Sequence, residues 1–483
     1  MVLVQASKVT LPNPCSLSSP PSNTCSILFE PNSLSLALTH SDSSLSLYPS
    51  FSPLSPSSSS SSSLSLHTPQ TLIPSPSSSS TFLLLQQSHT NPNSTPSVLF
   101  IVSAPHRSGS QILLRFYILH KKNNAFARVQ NVLCSNNKGF RFEPKLGVLI
   151  DSKHGVSIKL AGSVNYFAMY SVSSSKVWVF AVKMCDDDDN GDDGGGLRVK
   201  LIRCAVIECS RPVWSVSISF GFLLLGEENG VRVFGLRRLV KGRVVKRVRN
   251  SNSNLKQLPN GVVVGRDNHG RHGGRDRGGK RYGGEGVVEV TCNGDLEGKI
   301  ERHGVVVKQT NVKFKQDDSN ACACFVALKE NEVETKSMAK VSMSVKAISI
   351  QALSRRMFVI LDSHGDLYLL CLSNSGIGVD ITGHVRQLPH IMKVKSLAVL
   401  PDVSTLSQTV WISDGCHSVH MFTIMDEVNA INEADGNDGG EKLLHLPVIR
   451  VLFSSEKIQD VISLTSNSIL ILGQGSLYAY AIS

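Results

Sequence analysis

No apolar run in this chain approaches the roughly 20 residues that a membrane-spanning helix needs, so no such span is expected. Catalytic signatures are also missing. There is no Gly-x-Ser-x-Gly, no GxxxxGK[ST], no HExxH and no pair of carboxylates placed by an interpretable motif. The nearest approach, Gly274 to Lys280 (GRDRGGK), is followed by Arg281 where a metal-holding hydroxyl belongs, and no strand leads into it. The 11 cysteines are odd in number and scattered, with no CxxC pair at zinc-ligand spacing. They are expected to be buried, reduced thiols, and Cys322 and Cys324, two apart, share one strand face rather than a metal. The fifteen histidines are dispersed; His120, His154 and His303 read as surface or satisfied core residues rather than ligands. Acidic residues are absent before Glu30, and Lys8 is the lone basic residue there. That Ser/Pro/Thr composition suits an organelle transit peptide, whereas the scarcity of arginine argues against one.

The chain is long enough, at 483 residues and 41% hydrophobic, to bury a sizeable core, and its net charge of +11 matters less than where that charge sits. Pro212 to Leu236 organises the rest. Val213 to Phe220, Phe222 to Gly226 and Val231 to Leu236 are β-favouring runs, and Glu227-Glu228-Asn229-Gly230 supplies tight-hairpin chemistry. Six further hairpin-centred units follow the same pattern: Ser33 to Pro49, with alternation that predicts one buried face, Ser97 to Leu119, Val156 to Val182, Ala347 to Ser373, Val394 to Ile424 and Val461 to Ser483. Turns at Gly365, Gly415 and Gly475 lie 50 and 60 residues apart. Such spacing is that of radial β-sheet repeats. The 135 residues between Gly230 and Gly365 must hold a large insertion.

VWSVSISFGFLLLGEENGVRVFGL resembles a blade of the WD-repeat (transducin-like) β-propeller family, with Phe234-Gly235 in place of Trp-Asp. Gly383-His384 resembles the dipeptide that opens such a repeat, and Asp414 stands at the turn where the family has its structural Asp. No unit ends in Trp-Asp, so the departure from the family pattern is large. The resemblance implies an all-β protein, a single propeller of about seven blades over 1–483, and a non-catalytic platform that binds other proteins in a complex, without a cofactor or a metal. It also implies closure by an N-terminal strand, and VLVQASKVTL could complete the last blade beside SLYAYAIS. An N-terminus used in that way is structural.

Three segments interrupt the repeats. Residues 51–80 hold the serine run Ser57 to Ser63 and read as a Ser/Pro-rich loop. Residues 183–196 are an acidic Gly/Asp loop; Asp186, Asp188, Asn190 and Gly191 match half of a calcium loop, but Leu197 stands where the bidentate Glu belongs. Residues 237–286 are basic. Arg237, Arg238, Lys241, Arg243, Lys246, Arg247 and Arg249 contain no acid between them, and Arg266, Arg271, Arg275, Arg277, Lys280, Arg281 and Tyr282 lie in an Arg/Gly stretch. Clustered cations neutralise phosphates, and guanidinium planes stack on bases, so RNA is one possible partner and nuclear import another role. The plainer readings are a solvated loop or, for LVKGRVVKRVR, an outer blade strand. Gly286 to Val290, Gly304 to Phe314 and Ala321 to Leu328 read as strands, the last completing a blade. The expected setting is nucleus or cytoplasm.

Overall fold

The computed structural model describes residues 4–10, 23–53, 64–65, 71–86, 96–120, 122–135, 139–152, 155–185, 198–241, 312–316, 323–328, 344–374, 381–390, 392–400, 407–425 and 448–482. They form seven antiparallel-based sheets. The chain opens with β1 (Val4–Thr10) and then builds blade 1 from β2 (Thr24–Glu30), β3 (Ser35–His40), β4 (Leu45–Tyr48) and β6 (Thr71–Ile73), with β5 (Leu64–Ser65) outside it. Blade 2 is β7 (Ser79–Leu85), β8 (Ser97–His106), β9 (Gln111–His120) and β13 (Gly147–Asp151), with β10 (Ala125–Arg128) paired to β9 and β12 (Phe140–Glu143) to β13. Blade 3 is β14 (Ile158–Gly162), β15 (Tyr166–Ser171), β16 (Lys176–Cys185) and β17 (Arg198–Glu208), edged by β11 (Asn131–Ser135). Blade 4 is β18 (Ser215–Ser219), β19 (Phe222–Glu227), β20 (Gly230–Gly235) and, beyond helix α1 (Leu236–Lys241) and strand β21 (Val312–Lys315), β22 (Ala323–Ala327). Blade 5 is β23 (Ala347–Ala352), β24 (Met357–Asp362), β25 (Leu367–Asn374) and β26 (Ile381–Leu388). Blade 6 is β27 (Ser396–Val399), β28 (Ser407–Ser413), β29 (Ser418–Met425) and β30 (Val448–Phe453). Blade 7 is β31 (Asp460–Thr465), β32 (Ser468–Leu472) and β33 (Ser476–Ile482), completed by β1.

The first strands of successive blades touch in the order β2, β7, β14, β18, β23, β27, β31 and back to β2. The sheets therefore close a ring around these inner strands. β1 runs antiparallel to β33 from Val4 opposite Ile482 to Thr10 opposite Ser476. Sequence-distant ends thus share one blade, and a closed ring leaves no blade without a neighbour.

Seven hydrophobic clusters fill the seven seams between blades. Each middle strand serves two of them at once. Along β16, Trp178, Phe180 and Val182 face blade 2, while Val177, Val179 and Ala181 face blade 4. Burial on both faces explains why KVWVFAV, FLLLG and SILIL are continuous apolar runs rather than alternations. It also corrects the single buried face expected of Ser33 to Pro49. Leu36 and Leu38 pack toward blade 7, and Ala37, Leu45 and Leu47 pack toward blade 2. Ser35 and Ser46 are buried too, so the polar half of that alternation is not a solvent face.

Alternating strand direction puts the turns between second and third strands, together with the links from one blade to the next, on one face, called upper here. The connections from third to fourth strands lie on the lower face. All three interruptions seen in the sequence leave from the lower face, at blades 1, 3 and 4. Within 51–80, Thr71–Ile73 is the outer strand of blade 1 and Leu64–Ser65 pairs in parallel with β1, which places part of the expected loop in sheets. The 237–286 segment begins as helix α1, neither loop nor strand, because Leu239 and Val240 are buried against blade 3 residues Ile202, Cys204 and Ala205. β21 pairs in parallel with β17, so an element of the blade 4 insertion edges blade 3. β22 then completes blade 4 against β20. Gly286 to Val290 lies outside the described residues.

Candidate functional site

Several polar side chains on the upper face hold turns. In blade 5, Asp362 is fully buried, and its Oδ1 accepts from the backbone N–H of His364 and of Asp366, both at 2.8 Å, while Oδ2 accepts from the Tyr368 hydroxyl at 3.2 Å. Burial first, and then the adjacent Asp362 carboxylate, hold the Tyr368 phenol above its ordinary pKa. In blade 4, Glu227 receives Arg232 across the turn at 2.6 and 3.1 Å. In blade 1, His40 bridges Thr24 and Ser46 at 3.3 and 2.7 Å, and burial lowers its pKa against the raising effect of Asp42. In blade 7, Glu456 accepts from the Tyr478 hydroxyl at 2.6 Å and from Gly475 N at 3.0 Å.

The residues assigned a repeat role occupy different environments. Asn229, with φ of 60°, takes the left-handed turn position, whereas Gly230 answers a close approach: a Cβ there would lie 2.6 Å from the Val326 carbonyl oxygen and against the Phe325 ring. Phe234 is fully buried in the seam between blades 3 and 4. Gly383 and His384 lie on β26, the outermost strand of blade 5, opposite Leu372 and Cys371, and His384 is exposed. Asp414 caps its turn by accepting from Cys416 N at 2.8 Å but is only half-buried. Asp362, the more deeply held carboxylate, went unnoticed in the sequence. Its signal was the short spacing Asp362-Ser-His-Gly-Asp366 between two strand patterns.

Sequence reading also missed a set of polar residues on the inner strands that stitch neighbouring blades. Ser79 Oγ accepts from Leu160 N at 3.0 Å, and Thr81 Oγ1 accepts from Gly162 N at 2.9 Å. Lys159 donates to the Trp214 carbonyl, and burial lowers its pKa. Ser215 donates to the Ala347 carbonyl at 2.8 Å. Gln351 donates to the Leu397 carbonyl at 2.6 Å and accepts from Val399 N at 2.9 Å. Asp460 accepts from Ile27 N at 3.1 Å and joins the last blade to the first.

Of the basic set, Arg237, Arg238 and Lys241 lie on α1, and Arg243 through Tyr282 lie outside the described residues. The calcium-like run Asp186 to Gly191, His154, His303 and Cys322 lie outside as well. Among the described residues no group of three or more His, Cys, Asp or Glu is placed to hold a metal, and no helix is long and apolar enough to cross a membrane. The eight described cysteines are thiols; Cys204 is buried, but Cys25 and Cys416 are exposed, contrary to uniformly buried thiols. A cavity of about 390 Å³ opens on the upper face at blades 6, 7 and 1, lined by Cys25, Lys395, Lys457, Ile458, Gln459 and Gln474. Its polar walls are two lysines, two glutamines and the Cys25 thiol.

Seven four-stranded or larger sheets, an inner ring of first strands and closure by the N-terminal strand define a seven-bladed β-propeller. No family model matches the chain, and no curated protein matches it. Among solved structures it is similar to the β-propeller domain of Myceliophteria thermophila Cps50 (Swd1), at 7% identity and a TM-score of 0.42, covering 96% of this chain and 98% of that one. It is also similar to a chain of a humanized mutant of the Chaetomium thermophilum Polycomb Repressive Complex 2, at 7% identity and a TM-score of 0.43, covering 95% and 93%. The assignment of the fold rests on the strand pairing and the closed inner ring.

Proposed function

We propose that this propeller is a non-catalytic protein-interaction scaffold working in the nucleus or cytoplasm. One observation carries the reading: the buried carboxylates Glu30, Glu227 and Asp362 and the half-buried Asp460 hold turn amides, an arginine or a neighbouring blade, rather than converging on a shared point. A ring built that way offers wide, pre-formed surfaces whose docking requires little ordering, and that suits assembly. Tagged full-length protein purified at native abundance, cross-linked and resolved by gel filtration tests it. Partners retained at fixed stoichiometry are the expected result; a chain that elutes alone from its native source overturns the reading.

A second reading, an RNA-associated factor, is supported by the density of Arg and Lys in 237–286 and by the exit of that segment from the lower face, away from the upper-face turns. The acidic 183–196 segment leaves the same face at the neighbouring blade, and its six aspartates oppose binding of a polyanion. Deleting Arg243 to Gly286 spares α1. Salt-dependent RNA binding that survives this deletion, or is absent from the intact protein, removes the RNA reading.

A further inference from the structure

The rim of the ring is unevenly protected. β5 pairs on part of β1, and β11 and β21 both pair on β17. At the seam between blades 4 and 5 the outer strands β22 and β26 pack together, but β26 and β30 make no comparable contact. β30 is the last strand of its sheet, so one row of its backbone N–H and C=O groups has no strand partner among the described residues. Edge strands of this kind normally carry charge, proline or a cover. β26 follows that rule with Thr382, His384 and Arg386, whereas β30, VIRVLF, carries its one charge, Arg450, opposite Met421 on the blade 7 side and exposes Val448 at 42%, Val451 at 39% and Phe453 at 73%.

The two strands look at each other across the seam between blades 5 and 6. On β30, Leu452 packs with blade 7, so its neighbours Val451 and Phe453 point to the blade 5 side, and Val448 pairs with Phe422, which packs against blade 5. On β26, Leu388 packs toward blade 6, and the uninterrupted register puts Thr382, His384 and Arg386 on that same face. One wall is therefore apolar and exposed, and the other is polar and basic. Contiguous exposed apolar surface beside an open sheet edge is what strand addition uses, with main-chain bonds supplying affinity and alternate side chains supplying choice.

We propose that this groove docks an extended segment of a partner protein that pairs with the β30 edge and presents, on its blade 5 face, apolar side chains to Val448, Val451 and Phe453 and acidic side chains to His384 and Arg386. The proposal rests on the scaffold reading and assigns it a binding surface. Binding of a fluorescein-labelled peptide with leucine and aspartate taking turns at every second position and serine between them, so that both lie on one face, tests it on the full chain by anisotropy. Val451→Ser combined with Phe453→Ser should weaken binding about tenfold. Arg386→Gln, or a peptide with lysine replacing aspartate, should weaken it about threefold or more. Because these side chains are exposed, unfolding temperatures should match the parent, and Phe453→Glu alone serves as the second variant.

Equal affinity of the parent and both β30 variants overturns the proposal, and so does equal affinity for the lysine peptide. Two other occupants have their own signatures. The connection 426–447 carries Asp426, Glu427, Glu433, Asp435, Asp438 and Glu441; tighter peptide binding after deletion of 429–445 would mean that the chain covers its own groove, against a partner. A dimer in sedimentation that Phe453→Ser dissolves would mean a second copy, also against it. Peptide indifference alongside an intact co-purifying assembly defeats the groove and spares the scaffold; a chain without partners defeats the scaffold.

Discussion

Glu227 and Arg232 form a two-point ion pair inside blade 4, with Arg232 Nε 2.6 Å and Nη2 3.1 Å from the carboxylate, Glu227 wholly enclosed and the Arg232 side chain 9% exposed. The pair spans the hairpin turn, and the guanidinium also lies 5.1 Å from the centre of the Phe325 ring on the outer strand. Arg232→Met leaves a buried carboxylate alone and should cost about 3–5 kcal/mol, whereas Glu227→Leu with Arg232→Met should cost far less, since desolvation of both charges is then relieved. Urea unfolding of the two variants checks the order.

Asp362 and Asp414 stand at corresponding turns of adjacent blades but should differ in weight. Asp362→Ala removes three hydrogen bonds from a fully buried site and should cost about 2–4 kcal/mol. Asp414→Ala removes one bond, to Cys416 N, from a half-buried site and should cost about 1 kcal/mol or less. Thermal unfolding that ranks Asp414 above Asp362 would contradict this account.

Closure by β1 makes the first residues part of the core. Val9 is 2% exposed in the cluster joining blades 7 and 1, and Lys8 sits 5.5 Å from the Tyr478 ring. Deleting residues 1–10 should broaden the thermal transition and promote association through the bared β33 edge, as read by circular dichroism and gel filtration. Val9→Asp, which buries a charge at the same place, should reproduce the effect with chain length unchanged.

Asp460 predicts a pH dependence at the ring closure. Burial pushes its carboxyl up to about 6, against the lowering effect of the hydrogen bonds from Ile27 and Val461. With the folded pKa above the unfolded one, the folded chain binds more protons between them, so stability falls as pH rises from about 4 to about 6. The full swing is about 3 kcal/mol. Asp460→Asn should flatten this part of the profile in denaturant titrations at stepped pH; an unchanged slope would assign the dependence to other groups.

Much of the architecture was legible in the linear text. Seven hairpin-centred units, tight-turn residues such as Asn229 and Gly365, and a β-favouring run at the N-terminus were enough to specify strands, blade number and the closing partner of β33, because local periodicity and turn chemistry act over a few residues. The contacts that set each blade against the next were not legible. Ser79, Thr81, Ser215, Gln351 and Asp460 look like ordinary polar strand residues, and only ring closure brings each within reach of another blade. The same holds for the two-sided burial of β3, the helix that opens the basic insertion, and the turning of β26 and β30 toward one seam. The sequence by itself determined which segments would be strands and where they would turn, since that is decided among neighbours along the chain. Tertiary structure alone decided which faces meet, because the partners lie on different blades and their encounter depends on the curvature that closes the ring.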